Sequence, residues 1–230
     1  MNIERELIIT ILRLTKTGSV SHKLINRAAQ ISSQVAGNLL GKLQMNGLIH
    51  LKKDMVKADS LQRIKLAVKA INLGADLERV GSFLKWQEFE NMAAIALARN
   101  NCIIEKNLRF KHAGRKWEID IVGCKKPVAV CIDCKHWHRG MQPSTLKKIV
   151  EDQVERTFAL AKSLPSLSSR VECASWDEAK LVPAVLSLVV GRFKYYDNVP
   201  IVPILQLQDF LSQLPAYADS LKHFTKQLAN

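Results

Sequence analysis

Between Cys102 and Lys135 the chain carries three β-branched, apolar runs in succession, CIIEKNLRF, KWEIDIVG and VAVCIDCK, separated by turn-like segments around KHAG and KKP. Connections that short leave no room for a crossover, so the runs must pair antiparallel, as a meander. Helical patterns flank the meander on both sides. A strand-rich centre between helices predicts an α/β chain, with a mixed sheet covered by helices in its larger part.

Strand periodicity sorts the polar residues of this region. In KWEIDIV, Glu118 and Asp120 fall on one face and Trp117, Ile119 and Ile121 on the other. In VAVCIDCK, Cys131, Asp133 and Lys135 share a face opposite Val130, Ile132 and Cys134. A zinc knuckle needs both thiolates of a Cys-x-x-Cys pair turned to one metal, and it needs a second ligand pair. Cys131 and Cys134 diverge, and the sequence has no second such pair. A zinc-stabilised interaction module is therefore the weaker reading. The acids, hard oxygen donors, suit a cation such as Mg²⁺.

Upstream, FLKWQEFENMAAIALARNN predicts a buried helix over 83–101, its alanines allowing close packing. Glu90 lies one turn from Trp86 and Ala94 and is expected to be partly desolvated; Glu88 also has apolar neighbours, and periodicity does not choose between them. Downstream, STLKKIVEDQVERTFALAKSL reads as a long amphipathic helix and KLVPAVLSLVV as a buried strand. VPIVPILQL reads as a short strand with prolines at tolerated edges, and LQDFLSQL and AYADSLKHFTKQL as closing helices.

The first 58 residues have a different pattern. Leu7, Ile8, Ile11 and Leu12 mark one helix, Leu24, Ile25 and Ala28 a second capped by Ser21, and Ala36, Leu39, Leu40 and Leu43 a third ending at Asn46-Gly47. LIHLKKDMVKA then turns at Lys53-Asp54 as a hairpin. Three helices and a hairpin resemble a winged helix-turn-helix, a fold whose third helix enters the major groove. On that helix Gln34, Asn38 and Lys42 lie opposite the apolar stripe, where they could reach bases or phosphates, with Lys52, Lys53 and Lys57 on the wing. The plainer alternative is a solvated face, or a module that binds protein. Gly37 and Gly41 are costly within a helix and point to a close approach by a neighbouring helix or by nucleic acid. Residues 59–81 read as a helical connector, and 82–230 as the second domain.

Charge agrees with a polyanionic partner. The chain has 34 Lys and Arg against 21 Asp and Glu, a formal net charge of +13. Residues 1 to 85 hold 14 of the basic residues and 6 of the acids. Neutralised phosphates release counterions, so such a surface favours DNA. The sequence shows neither a secretory leader nor an uncharged apolar run of membrane-spanning length, and five cysteines suggest reduced thiols. The expected location is cytoplasmic, with no membrane partner.

A helix acid, a strand aspartate and an Asp-x-Lys on the next strand together resemble the restriction-endonuclease-like, PD-(D/E)xK, nucleases, and within them the archaeal Holliday junction resolvases and restriction-type endonucleases. The matching residues are Glu90, Asp120, Asp133 and Lys135, with Gln153 of EDQVERTFALAK at the family's frequent glutamine, and the likeness spans about 82–206. Ile119 stands where many members have proline, and Asp133 where glutamate is commoner in this branch. The resemblance implies a Mg²⁺-dependent DNA endonuclease, with Mn²⁺ as a substitute and a homodimer by analogy. Asp120, Asp133, the Cys134 carbonyl and Glu90 would hold the ion. Lys135 would orient water and stabilise charge on the phosphate, and His136 and His138 would be structural or contact DNA. Arg109, Lys111, Arg115 and Lys116 would line the phosphate channel. The competing expectation is a DNA-binding regulator with an inactive nuclease fold.

Overall fold

The computed structural model describes residues 2–134, 143–188 and 191–226. The chain divides into two compact units, one reaching to Phe89 and one beginning at Glu90. Among the described residues no helix is long and apolar enough to cross a membrane.

The first unit is mostly helical. Its elements are α1 (Ile3–Leu14), β1 (Val20–Ser21), α2 (His22–Ala29), α3 (Ser33–Met45), β2 (His50–Lys52), β3 (Met55–Lys57), α4 (Ser60–Asn72) and α5 (Leu77–Gly81). Each early helix begins where a short polar side chain can take up an orphan backbone N–H. Asn2 caps α1, Ser21 caps α2 and Ser32 caps α3, while Asp59 and Gln62 close a reciprocal capping box on α4. The hairpin turns on Lys53 and Asp54, both left-handed at φ 46° and 62°, as a two-residue turn of matching twist requires. β1 completes a three-stranded sheet in the order β1-β3-β2. Two residues long, it is too short to leave a periodic signal in the sequence. The core holds Leu7, Ile8, Ile11, Leu12, Ile25, Leu40 and Leu43. Leu24, expected on the apolar face of α2, is instead exposed, because Ile25 and Asn26 turn inward.

The second unit is built on a large mixed sheet, so the chain as a whole is mixed α/β. After α6 (Trp86–Arg99) come β4 (Ile103–His112), β5 (Arg115–Lys125) and β6 (Val128–Cys134), an antiparallel meander. α7 (Pro143–Ser163) then leads to β7 (Lys180–Ser187), which pairs parallel to β6. β8 (Tyr195–Tyr196) and β9 (Val199–Pro203) follow, and the strand order is β4-β5-β6-β7-β9-β8. β6 is buried along its whole length, the usual state of a parallel-paired central strand covered on both faces. Its two covers are identifiable. A Cβ on Gly123 of β5 would come within 2.3 Å of Leu97 in α6, so glycine permits that approach. On the other face Cys131, Val122 and Cys124 pack in one cluster with Ala159 and Leu160 of α7.

Two expectations for the C-terminal part change. β9 has neighbours on both sides, parallel to β7 and antiparallel to β8, so its prolines are not on a sheet edge. They are tolerated because Pro200 and Pro203 pair only near the ends of these short ladders. LQDFLSQL lies in α8 (Leu207–Tyr217), but AYADSLKHFTKQL does not form a closing helix. After a tight turn at Ala218–Ser220 it becomes β10 (Phe224–Thr225), which adds to β7. Its backbone donors find carbonyls elsewhere: Lys222 N–H bonds Asn198 O and Lys226 N–H bonds Ala179 O, both at 2.9 Å. Such long-range partners leave no trace in local spacing.

Candidate functional site

The predicted strand acids stand at one end of the β5–β6 ladder. The β5–β6 ladder ends at the Ile121–Ile132 pair, so Asp120 and Asp133 each stand one residue beyond it. Asp120 is half-buried, and its Oδ2 accepts the Cys134 N–H at 2.7 Å. Asp133 is 1% exposed and accepts from Arg156 Nη1 of α7 at 2.6 Å.

Asp120 sits where strict alternation breaks. The β4–β5 ladder runs from Lys106–Ile121 to Leu108–Ile119 with no Asn107–Asp120 pair between them, and Asn107 is left-handed at φ 50°. Trp117 and Ile119 before the break pack with the same apolar cluster as Val122 and Cys124 after it, although they have opposite strand parity. A local distortion of this kind re-aims side chains. The two-residue period alone does not anticipate it.

α7 presents a second polar row to this face. Gln153 is fully buried and donates from Nε2 to the Cys131 carbonyl at 2.7 Å, while its Oε1 has no hydrogen-bond partner among the described residues. Thr157, one turn on, bonds the Gln153 carbonyl and the Cys131 thiol. Burial pushes that thiol far above the usual cysteine range, which suits a packed core residue rather than a metal-binding thiolate. The sequence reading passed over Arg156. Its signal was its place three residues after Gln153, which puts both on one helical face.

Glu90 does not join the acids in a three-ligand set. Among the described residues no group of three or more His, Cys, Asp or Glu side chains stands close enough to share a metal ion. α6 covers the sheet face of Gly123, whereas Asp133 meets α7 on the other. Nor is Glu90 the buried acid of α6: it is half-buried, and Glu88 is the enclosed one, bonded to Arg63. Lys135 lies outside the described residues, as do His136 and His138.

The cationic candidates are all at the surface. Gln34, Asn38 and Lys42 are exposed along α3, and Lys52, Lys53 and Lys57 on the hairpin. Gly37 and Gly41 have no heavy atom within 4 Å of where a Cβ would stand, so a neighbouring helix does not explain them. At the β4–β5 hairpin Lys111 and Lys116 face each other across the ladder and are exposed. Arg109 is paired with Glu118 at 3.0 Å. Arg115 stacks over Trp117 at 4.0 Å and reaches Glu155 at 3.5 Å. These two arginines are partly neutralised by their own neighbours.

No protein-family model matches the chain. An uncharacterised protein of Archaeoglobus fulgidus is 23% identical over 135 residues, 58% of this chain and 95% of its own length. Among solved structures, protein VC1899 of Vibrio cholerae aligns with 94% of this chain at 12% identity and a TM-score of 0.38. The chain spans about half the length of VC1899, 52% of it.

Proposed function

We propose that the chain is a Mg²⁺-dependent DNA endonuclease whose N-terminal helices and hairpin act as a winged helix on the DNA. The observation that carries this reading is that Asp120 and Asp133 both stand one residue beyond the end of the β5–β6 ladder, where Asp120 accepts the Cys134 N–H and α7 supplies Gln153 and Arg156. Two carboxylates at one end of a strand pair suit a cationic ligand. Their oxygens are hard donors, and Mg²⁺ commonly uses only one or two protein carboxylates. The donor set therefore fits the ion without Glu90. Asp120, Asp133 and the Cys134 carbonyl would hold it, and the ion would supply Lewis acidity at a phosphodiester and an activated water. Lys135, which follows Cys134 in the sequence, would add charge for the phosphate. The exposed polar row of α3 and the wing lysines support DNA as the partner, through base edges and phosphates.

The second reading, a DNA-binding regulator with an inactive nuclease fold, is favoured by the ion pair that engages Asp133. One assay separates them. Purified protein is incubated with plasmid, linear and branched DNA, with and without Mg²⁺. Cleavage should require the ion, and Asp133→Asn should abolish it while leaving the unfolding transition in place. An Asp120→Asn, Asp133→Asn double variant should be no worse than either single one, because the two act as a unit. DNA binding without any cleavage, in wild type and variants alike, would instead establish the regulator.

A further inference from the structure

We propose that the turn between α2 and α3 is a binding site for a phosphate group. The site lies within the first unit and depends on neither the metal nor the cleavage reading. A cavity of about 470 Å³ opens at this turn, lined by Lys23, Asn26 and Arg27 of α2, Gln30 of the turn, and Ser32 and Ser33 at the start of α3. α3 runs for 13 residues, so its N-terminal end carries the partial positive charge of a full helix dipole. Ser32 takes the Val35 N–H on its side chain and the Ala36 N–H on its carbonyl. The N–H groups of Ser33 and Gln34 have no acceptor inside the helix and are left for a partner outside it. Helix N-termini of this kind hold tetrahedral oxyanions.

Asn26 and the local charge both point to a ligand here. Asn26 is 6% exposed, and its Oδ1 is buried with no hydrogen-bond partner among the described residues. The turn does not need this side chain, because it closes through backbone bonds: Gln30 N–H to the Arg27 carbonyl at 3.3 Å, and Ile31 N–H to the Asn26 carbonyl at 3.2 Å. An enclosed carboxamide without an internal partner costs stability. Its oxygen and nitrogen have nearly the same shape, so a half-turn of the amide sets the Nδ2 donor where Oδ1 stands, and an anion in the cavity becomes its acceptor. Charge favours the same occupant. Between Glu6 and Asp54 the sequence has no acidic residue and seven basic ones. Lys23 and Arg27 are exposed, stand four residues apart on α2, and have no acidic partner among the described residues. Like charges at that spacing repel along a helix, and an anion between them removes the repulsion. A phosphate, with several oxygens, takes amide, guanidinium and ammonium donors at once. A DNA backbone phosphate and the phosphate of a small ligand share that chemistry.

The test follows the backbone amide resonances of Ser33 and Gln34 in the full chain, in two titrations at constant ionic strength, one with inorganic phosphate and one with duplex DNA. At least one probe should shift both resonances to saturation. Saturation with inorganic phosphate alone assigns the site to a small phosphorylated ligand, and saturation with duplex DNA assigns it to the nucleic-acid backbone. In the titration that responds, Arg27→Gln should weaken binding about tenfold, the scale of one hydrogen bond to a charged group. If DNA is the source, the same variant should also reduce the salt slope of duplex binding by about one. Asn26→Leu should weaken binding while leaving Tm unchanged or higher, since an apolar group of similar size replaces an unsatisfied polar one. A lower Tm with unchanged affinity in Asn26→Leu would make Asn26 a structural residue and overturn the inference. So would amides that neither probe moves, or an Arg27→Gln variant that titrates like wild type. Arg27 is exposed, so its variant remains readable if Asn26→Leu does not fold. DNA binding that persists in wild type while these amides stay unmoved would sink this site and leave the winged-helix reading standing.

Discussion

The two units each bury an arginine–carboxylate pair, and the pairs differ in how completely they are enclosed. In the first unit Arg63 and Glu88 are 3% and 6% exposed. The guanidinium bonds Glu88 Oε1 at 2.5 Å, the Leu12 carbonyl at 2.9 Å, Thr15 Oγ1 at 2.7 Å and the Phe83 carbonyl at 2.6 Å. The other Glu88 oxygen accepts the Lys85 N–H at 2.7 Å. Both oxygens and all three guanidinium nitrogens are engaged, so this pair ties α1, α4 and the start of α6 together and has nothing left to offer a ligand. In the second unit Asp133 is as well enclosed, at 1% exposed, but Arg156 is 26% exposed and open to water at one side. A closed network builds structure, whereas a pair open on one side can still be reached by a further polar partner. Burial alone therefore does not mark function.

The largest effect should come from opening the closed pair. Glu88→Ala leaves the Arg63 charge buried and unmatched, and should cost about 3–5 kcal/mol of stability, the scale for breaking a buried pair by removing one partner. Chemical unfolding would read the loss. The loss should be the same with and without Mn²⁺, because this pair lies outside the proposed ion site. A Mn²⁺-dependent loss, or none at all, would erase the contrast between the two pairs.

That contrast also explains what could be read before the structure. The meander was legible because its turns are short, and the first carries a glycine where the backbone turns left-handed, Gly114 at 75°. The two strands that carry Asp120 and Asp133 were legible as neighbours from their hairpin connectivity. The choice between Glu88 and Glu90 was not legible. It is made by Arg63, 25 residues upstream, and no local spacing encodes that distance. Arg156 was missed for the same reason: its partner lies across the packing of a helix on a sheet. The third helix of the first unit was legible in outline, with Ala36, Leu40 and Leu43 buried as expected and Leu39 only half-buried.

A smaller effect should distinguish the closed interior of the first unit from its outer face. Gly37 and Gly41 have open space where a Cβ would stand, so alanine at each should fit and stabilise the helix by up to about 1 kcal/mol. If α3 is a DNA-contacting helix, that added bulk comes between backbone and ligand. Gly37→Ala and Gly41→Ala are expected to raise Tm and lower DNA affinity together. A rise in Tm with unchanged affinity and unchanged salt dependence would return this face to plain solvent exposure.

The smallest effect belongs to a pair that is open to solvent. Lys180 of β7 bonds Asp219, in the turn that leads into β10. The hydrogen bond from Lys180, with its charge, holds the Asp219 carboxyl below the usual aspartate range. A depressed folded-state value means that the contribution is present above the unfolded-state pKa and disappears as pH falls through the folded one. Exposed pairs of this kind are screened by water and salt, so the contribution is small. Asp219→Asn should therefore lower Tm slightly at neutral pH in low salt. The gap should close in acid, once the wild-type carboxyl is protonated, and shrink at high ionic strength. A gap that persists unchanged in acid would mean that Asp219 acts through the geometry of the turn. The graded series from Arg63–Glu88 through Arg156–Asp133 to Lys180–Asp219 would then not be ordered by solvent access alone.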